Sequence, residues 1–434
     1  MTTYQGRILE EESGQEDLRV IMGLVLLMFV TGIWACLWVP PLGGQEVNVV
    51  QSRRRGVWLI VGIAVAVVAI ACVALWLAAP GFFARMYMRQ TREPIRLTRD
   101  AVGTFPTEYH LDDVPWIATR EWFCQSNSLA MIAARHGIDE PAEHFCFLTG
   151  FTYGASRQPE RWAFMPYADP EAGFGIAAPY LGLVRRTYVT DDPSLYLDAL
   201  RTHLSQGYPV RVALNGCMLP EMEPCASAHS EVVVGYDEGG FFYYETVDEL
   251  QYLPPGEEGI WVAERTLLDA VANWSGAFST PWRYALTIFE AGPAERDLNP
   301  VWARNGELLA GGSRFGPLQG ADAIEALAAD VEERWAELDL TNTDFGGLRC
   351  GIEAASYTRR SNAAYLRTAF SGQMDVERAA DLFDGAADRY KDALAELEDG
   401  VADQSEAQRI ANTLREAAAL EREIGQILLT RGRE

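Results

Sequence analysis

Hydrophobic and polar positions divide the chain into three parts, and the first part is the most hydrophobic. Val20–Val39 and Val57–Ala79 are runs of twenty and twenty-three residues without a charged side chain. Each run is long enough to cross the roughly 30 Å hydrocarbon core of a bilayer as a helix, and tryptophans lie toward the run ends, where aromatic belts form. The pattern predicts a polar segment, residues 1–19, and a two-helix transmembrane hairpin, residues 20–85, with spans at about 20–40 and 57–80.

The middle part, residues 100–291, combines short β-branched and aromatic runs with amphipathic stretches. Period-two runs bounded by turn residues predict strands, whereas apolar residues spaced three and four apart predict helices. The predicted strands are Arg185–Val189, Pro209–Leu214, Glu231–Tyr236, Gly240–Glu245 and Trp282–Phe289. The predicted helices are Ser126–His136, Asp192–Gln206 and Glu264–Trp274. A helical first half ahead of an antiparallel sheet indicates an α+β domain.

The last part has a different composition. Residues 292–319 are rich in Pro, Gly, Arg and Asn and are predicted to be a linker. From residue 320 to residue 434, Ala, Glu, Leu, Asp and Arg recur at helical spacing. The predicted helices are Ala321–Leu338, Gly346–Phe370, Val376–Glu398 and Gln404–Thr430. Four amphipathic helices joined by short breaks predict an all-α bundle.

The net charge of −25 is unevenly distributed. Up to Arg99 there are ten Arg and seven acidic residues, which gives +3, and the remainder has 26 basic against 54 acidic residues, which gives −28. Proteins that bind nucleic acid use basic surfaces to neutralise phosphates. The acidic body therefore argues against a nucleic-acid partner.

Arginines around the two hydrophobic runs predict the orientation in a membrane. Seven arginines precede the first run or follow the second, and three, Arg53–Arg55, lie between them. Because positive residues favour the cytoplasmic side, we expect an integral protein of a bacterial-type inner membrane with a cytoplasmic body. The expected partners are the lipid bilayer, through residues 20–80, and further subunits of a membrane complex.

The seven cysteines are an odd number without C-x-x-C spacing, so they do not form a disulfide framework. Cys217 and Cys225 are close enough in sequence to bridge in an extracytoplasmic body, whereas in the cytoplasm we expect thiols. His144 and Cys146 are also neighbours, but no second pair of ligands accompanies them. We expect neither a metal nor a cofactor.

Candidate chemistry begins at Cys124, which lies just ahead of good helix formers and is followed by Gly137 at a plausible C-terminal cap. At a helix N-terminus, unpaired backbone N–H groups and the helix dipole favour thiolate over thiol. A cysteine alone is more often a buried structural residue. A catalytic interpretation of Cys124 therefore needs a second group.

That group lies about a hundred residues later, in a predicted hairpin over Ala228–Glu245. His229 opens the first strand, Glu245 closes the second, and Asp248 follows. A nucleophilic thiolate needs an imidazole within hydrogen-bond reach, and the imidazole needs an acceptor that fixes its tautomer. Mirroring about the turn sets Asp248 opposite His229. The acid is therefore Glu245 or Asp248; alternatively, His229 is an ordinary strand-start histidine.

Four stretches carry a resemblance to known families. Phe123–Leu129 and Phe147–Tyr153 resemble the N-terminal domain of the butirosin-biosynthesis H acyltransferase family. Cys124 and the strand His229–Asp237 are similar to bacteriocin leader peptidases and their papain-like relatives. The C-terminal part, through Tyr357–Leu366, resembles the helical domain of unknown function that follows in the butirosin H group. The resemblance covers about residues 110–430.

The resemblance implies a papain-like cysteine-peptidase fold with Cys124 as nucleophile, His229 as general base and Glu245 as orienting acid, with Asp248 in reserve. Leader peptidases place a glutamine about six residues before the cysteine, but this chain has Ala118-Thr119-Arg120 there. The oxyanion donors are then the backbone N–H of Cys124 with Gln125 or Asn127.

Three functions follow as hypotheses. The first is membrane-anchored acyl transfer, in which Cys124 takes an acyl group from a carrier-protein thioester or a peptide and passes it to an amine or water. The second is an inactive papain-like accessory subunit of a membrane complex, which the missing glutamine favours. The third is a leader-peptide cysteine protease.

Overall fold

A computed structural model describes residues 62, 82–119, 123–219, 228–246, 258–312, 318–338, 340, 347–398 and 400–434. The chain divides into two compact units, residues 1–86 and 87–434. Helix α1 spans Phe82–Arg92.

The described residues form a mixed sheet of eight strands, in the order β1-β5-β10-β6-β7-β8-β9, with β2 also paired to β7. The strands are β1 Ile95–Arg96, β2 Tyr109–His110, β5 Leu183–Thr190, β6 Val210–Leu214, β7 His229–Tyr236, β8 Gly240–Tyr244, β9 Ile260–Ala263 and β10 Tyr284–Ala291. Only the edge pair β1–β5 is parallel among the paired strands of this sheet. A separate pair, β3 Ser156–Gln158 and β4 Ala163–Met165, is antiparallel.

Strands β6 and β7 form the buried centre of the sheet, and all their residues are buried. Helix α2, Cys124–Arg135, contacts β7, and α6, Glu264–Ala277, contacts β6. Strands that are covered on both faces carry continuous apolar runs instead of alternation, as the consecutive valines Val232–Val234 do. The polar residues at the start of β7 depart from this rule.

The body has four further helices, α3 Ala142–Thr149, α4 Pro170–Leu181, α5 Pro193–Ser205 and α7 Asn299–Ala310, of which α4 and α5 contact strands of the sheet. An Asp-Pro pair starts both α4 and α5. The carboxylates of Asp169 and Asp192 accept backbone N–H bonds of the first turn, and the prolines occupy a position that needs no donor.

The C-terminal region is helical: α8 Gly320–Arg334, α9 Leu348–Ala369, α10 Met374–Glu398 and α11 Gln404–Arg431. These helices do not form a separate compact unit, because residues 87–434 are one unit. One cluster of buried apolar side chains includes Val212 and Val234 of the sheet as well as Leu366 and Leu428 of α9 and α11. The segment 292–319, which we expected to be a linker, contains α7, whose Val301 and Trp302 belong to the same cluster.

A buried ion pair joins the helices to the body. Arg359 on α9 and Glu421 on α11 are fully buried, and Nε of Arg359 lies 2.7 Å from Oε1 of Glu421. The Arg359 guanidinium also donates to the carbonyls of Thr152, Gly154 and Pro166. Every one of these acceptors lies outside the helix that carries the arginine. The pair therefore fixes the helical region against the body, and Arg359 does not lie on the surface.

The expectation of an integral membrane protein is wrong. Within the described parts of the chain, no helix combines the length and the apolar character needed to cross a bilayer. The three longest helices, α9, α10 and α11, have 22, 25 and 28 residues but carry charged side chains along their length. For the described residues, the fold is accordingly corrected to a mixed sheet with eleven α-helices and a helical C-terminal region, none of whose helices could span a membrane. The predicted spans at 20–40 and 57–80 lie outside the described residues, apart from Gly62.

Candidate functional site

Cys124 is the first residue of α2, so its backbone belongs to the helix N-terminus. Phe123 precedes it and provides no side-chain cap, which leaves N–H groups of the first turn without an intrahelical partner. Cys124 is 7% exposed. The helix is held against β7 by the Ser128 hydroxyl, whose Oγ lies 2.8 Å from Oγ of Ser230. The cysteine therefore lies at the N-terminus of a helix fixed to the central strand.

His229 is the first residue of β7 and is almost completely buried. Its Nε2 lies 2.8 Å from Oε1 of Glu245 and forms a hydrogen bond with it. The imidazole also hydrogen-bonds the Cys124 side chain. Since Nε2 faces the carboxylate, Nδ1 is the ring nitrogen that remains for the thiol. The structure thus brings together the three side chains that the sequence nominated as nucleophile, base and acid.

Glu245 directly follows β8 and is held by neighbours on three sides. Its Oε1 accepts the backbone N–H of Thr246 at 2.8 Å, and its carbonyl accepts the indole N–H of Trp116 at 2.8 Å. Pairing of Val232 with Tyr244 sets the register at this end of the hairpin, after a shift between Val233 and Gly235. Continuing this register sets Glu245 level with Glu231, two residues along the strand from His229. Asp248, which simple mirroring about the turn set opposite His229, lies outside the described residues.

Glu231 is a fourth member of the site that the sequence analysis did not assign to it. Its Oε1 lies 2.8 Å from Nε2 of His229, and its side chain is fully buried. His229 and Glu231 are two residues apart, so they share one face of β7. The sequence already predicted that His229 opens this strand, which sets both side chains on one face, but it gave Glu231 no role in the site.

Burial and charge act in opposite directions on this cluster. Burial by itself lowers the pKa of His229, but the nearby Glu245 and Glu231 carboxyls and the bond to Cys124 raise it well above its usual value. Burial raises the pKa of Glu231 well above its usual range, and the neighbouring charge of Glu245 raises it further. The site therefore favours an imidazolium beside one carboxylate and one neutral carboxyl.

The side chains of Gln125 and Asn127 have other partners than an oxyanion. Gln125 Oε1 accepts from the Arg211 guanidinium. The Asn127 amide donates to Thr119 Oγ1 at 3.0 Å and to the Thr246 carbonyl at 2.6 Å, so both of its hydrogens are used. Asn127 therefore anchors the segment that carries Glu245, and the candidate oxyanion donors are the backbone N–H groups at the start of α2.

A buried arginine supports the site from the neighbouring strand. Arg211 on β6 donates from Nε to Ser230 Oγ at 2.9 Å and forms an ion pair with Glu171 on α4. Together with its bond to Gln125, this connects α2, β7 and α4 through one guanidinium. Although burial alone raises the pKa of Glu171, Arg211 and then Arg92 and Arg185 bring it below the usual range.

Side chains that could bind a cation occur at this same place. Among the described residues, His229, Glu231 and Glu245 offer ligand atoms within 4.8 Å of one another. Because Nε2 already hydrogen-bonds Glu245, we interpret the group as a hydrogen-bonded acid–imidazole cluster. His144 and Cys146 do not converge: His144 Nδ1 contacts the Tyr365 hydroxyl, whereas the Cys146 thiol donates to Ser126 Oγ at 3.0 Å.

One cysteine of the body differs from the expectation that a cytoplasmic body contains only thiols. Cys124, Cys146 and Cys350 are not in disulfide bonds, but Cys217 is disulfide-bonded. Cys225, which we considered as its partner, lies outside the described residues. The disulfide is of the kind that oxidising compartments preserve.

Comparison with models of known protein families gives no match, and comparison with curated proteins gives none either.

Proposed function

We propose that the chain is a cysteine-dependent acyl-transfer enzyme with Cys124 as nucleophile, His229 as general acid and base, and Glu245 as the acid that orients the imidazole. The observation that carries the proposal is the contact of His229 with both Cys124 and Glu245. A thiol nucleophile, a base within hydrogen-bond reach and a third group that holds the base define this class of site. The stated resemblance to the butirosin H family supports the same assignment.

Before the reaction begins, the proton of the Cys124 thiol is already on His229, which gives a thiolate–imidazolium pair. The thiolate attacks the carbonyl carbon of a thioester or peptide, and the tetrahedral oxyanion lies near the N–H groups at the start of α2. His229 then donates its proton to the departing thiol or amine, which leaves an acyl group on Cys124. In the second half, His229 removes a proton from an amine or water, which attacks the acyl thioester and releases Cys124.

Glu245 contributes by orientation and charge. Its hydrogen bond to Nε2 keeps Nδ1 directed toward the thiol, and its carboxylate stabilises the imidazolium. Trp116 and Asn127 keep the Glu245 segment in place through backbone carbonyl contacts. The helix N-terminus favours the thiolate form of a cysteine at this position. The preferred donor is a thioester and the preferred acceptor an amine, as in the butirosin H group.

Acylation of the cysteine tests the proposal. The full chain is incubated with acyl-pantetheine thioesters of different chain length and, separately, with peptide p-nitroanilides, and the products are located by peptide mass spectrometry. We expect an acyl adduct on Cys124 that hydroxylamine or an amine removes. Cys146→Ala is the matched control, since Cys146 is a buried thiol one helix away.

The outcomes separate the alternatives. An adduct on Cys124 from thioesters supports acyl transfer, and cleavage of the peptide donors in its place supports the protease. If wild type and Cys124→Ala give the same products with every donor, the catalytic role is wrong and the accessory-subunit hypothesis is favoured.

A further inference from the structure

Two buried carboxyl groups contact one imidazole nitrogen. Oε1 of Glu231 and Oε1 of Glu245 each lie 2.8 Å from Nε2 of His229, and the three side chains are no more than 1% exposed. If both carboxyl groups were ionised, they and the Cys124 thiolate would place three negative charges beside one imidazolium, which is strongly unfavourable in a buried site. Arg211 on the adjacent strand does not supply the missing positive charge, because it is paired with Glu171. One of the two carboxyl groups must therefore carry a proton.

Hydrogen-bond donors decide which carboxyl is protonated. Oε1 of Glu245 accepts from His229 Nε2 and from the Thr246 N–H, both at 2.8 Å. Oε1 of Glu231 lies at the same distance from Nε2, but no backbone N–H donates to either of its oxygens among the described residues. Additional donors favour the charged form of a carboxyl, whereas burial with fewer donors favours the neutral form. Glu245 is therefore the anion and Glu231 the neutral acid.

We propose that Glu231 is a positioning residue: it holds a proton and donates a hydrogen bond to the Glu245 carboxylate, which then faces His229 as a single anion. The inference rests on the proposed function and extends it to a second acid. The two carboxyl groups are close together, since an oxygen of each lies 2.8 Å from the same ring nitrogen and these oxygens lie within 4.8 Å of one another. It gives the buried Glu231 hydroxyl an acceptor and fixes Glu245 from the strand that also carries His229.

Three side chains face the His229 imidazole. Cys124 faces it from α2, Glu231 from its own strand and Glu245 from the end of β8. Arg211 reaches β7 through the Ser230 hydroxyl. A glutamine at position 231 has nearly the same shape as a protonated glutamate, and its amide can donate to Glu245 in the same way. A leucine has a similar size and no donor.

The test compares three full-length proteins: wild type, Glu231→Leu and Glu231→Gln. The rate of Cys124 alkylation by iodoacetamide is measured from pH 5 to 9 and located by peptide mass spectrometry. We expect Glu231→Leu to slow alkylation near pH 6 by about ten- to hundredfold, the effect of losing a hydrogen bond to a charged group. Glu231→Gln should restore most of the rate. If the site needed a negative charge at position 231, the neutral glutamine would not restore the alkylation rate, so its rescue distinguishes a proton donor from an anion.

Two results of this comparison overturn the inference. If Glu231→Leu alkylates like wild type, Glu231 does not position the site. If Glu231→Gln is as slow as Glu231→Leu, the carboxylate charge is needed and the proton assignment is wrong. Both results leave the proposed function standing, provided that wild type is fast near pH 6 and His229→Ala is slow. Slow wild-type alkylation instead overturns the thiolate–imidazolium pair itself.

A second measurement does not depend on the variants' reactivity. Isotope-edited infrared spectroscopy of wild type near pH 7 should show a protonated carboxyl band that is absent from Glu231→Gln. If the variant keeps every protonated-carboxyl band of wild type, the proton assignment is wrong. Metal analysis of the purified wild type is the last control, since one tightly bound divalent cation per chain, lost in Glu231→Gln, would show that a metal and not a proton balances the charge.

Discussion

Nε2 of His229 lies 2.8 Å from Oε1 of Glu245, across the open end of the hairpin formed by β7 and β8. The register shift between Val233 and Gly235 sets the pairing at this end of the hairpin. Because the other side of the imidazole meets Cys124, this single relationship connects the central hairpin to the helix that carries the nucleophile.

Removing the charge of Glu245 should weaken the pair. In Glu245→Gln, the imidazolium loses its carboxylate, and we expect alkylation of Cys124 near pH 6 to fall about tenfold or more, as for a charge-assisted hydrogen bond. Glu238→Gln, on the exposed turn of the same hairpin, is the matched control and should alkylate like wild type. Equal rates for both variants would contradict the role of Glu245.

Removing Arg211 should destabilise the body. Arg211→Met leaves Glu171 buried without its main ion-pair partner, which costs about 3–5 kcal/mol in comparable cases. The double variant Arg211→Met, Glu171→Leu should recover part of that loss, since well-packed apolar pairs often replace buried ion pairs at little cost. Denaturant unfolding measures both. A double variant less stable than the single one would show that the pair itself is needed.

Arg359 and Arg360 are neighbours in sequence with opposite surroundings. Arg359 is fully buried against Glu421, whereas Arg360 forms exposed ion pairs with Asp384 and Asp388. We expect Arg359→Met to lower the free energy of unfolding by about 3–5 kcal/mol and Arg360→Met by about 1 kcal/mol or less. Similar losses in the two variants, measured by urea unfolding, would contradict the buried role of Arg359.

The protonated cluster should make stability fall as the pH rises. The folded-state pKa of His229 and that of Glu231 are both raised, so the folded protein binds more protons than the unfolded chain. Their contribution is fully present below the unfolded values, about 4.3 for Glu and 6.5 for His, and is lost as the pH rises through the raised ones. Relative to Glu231→Gln, wild type should lose up to about 1.4 kcal/mol per pH unit above pH 5.

Thermal unfolding of wild type, Glu231→Gln and Glu238→Gln from pH 5 to 8, at constant ionic strength, measures this difference. The Glu238→Gln curve should stay parallel to that of wild type, because Glu238 is exposed. A wild type that gains stability over Glu231→Gln as the pH rises would contradict the direction of both shifts.

Most elements of the α/β body were predictable, because their periodicity is strong. The predicted strand Glu231–Tyr236 lies within β7, and the predicted helix Asp192–Gln206 corresponds to α5. The pairing of Cys124 with His229 followed from the need of a thiolate for a base. Local pattern thus predicted these elements and nominated Cys124 and His229 as candidate site residues.

What the sequence did not reveal depends on contacts between distant segments. Glu231 had the pattern of an ordinary strand residue, and only the three-dimensional arrangement places it beside Glu245. Helix α7 was hidden in a segment rich in Pro and Gly, and it is helical because Val301 and Trp302 pack into the common core. Hydropathy alone led to the membrane prediction, which no helix of the described residues supports.

The most direct test of the central claim is the rate of Cys124 alkylation by iodoacetamide between pH 5 and 9, with His229→Ala for comparison. Cys146, whose pKa burial raises, serves as an internal reference in the same digest. The account predicts fast labelling of Cys124 near pH 6 that His229→Ala abolishes. Labelling of Cys124 that accelerates only above about pH 8, as for a free thiol, and is unchanged in His229→Ala would contradict it.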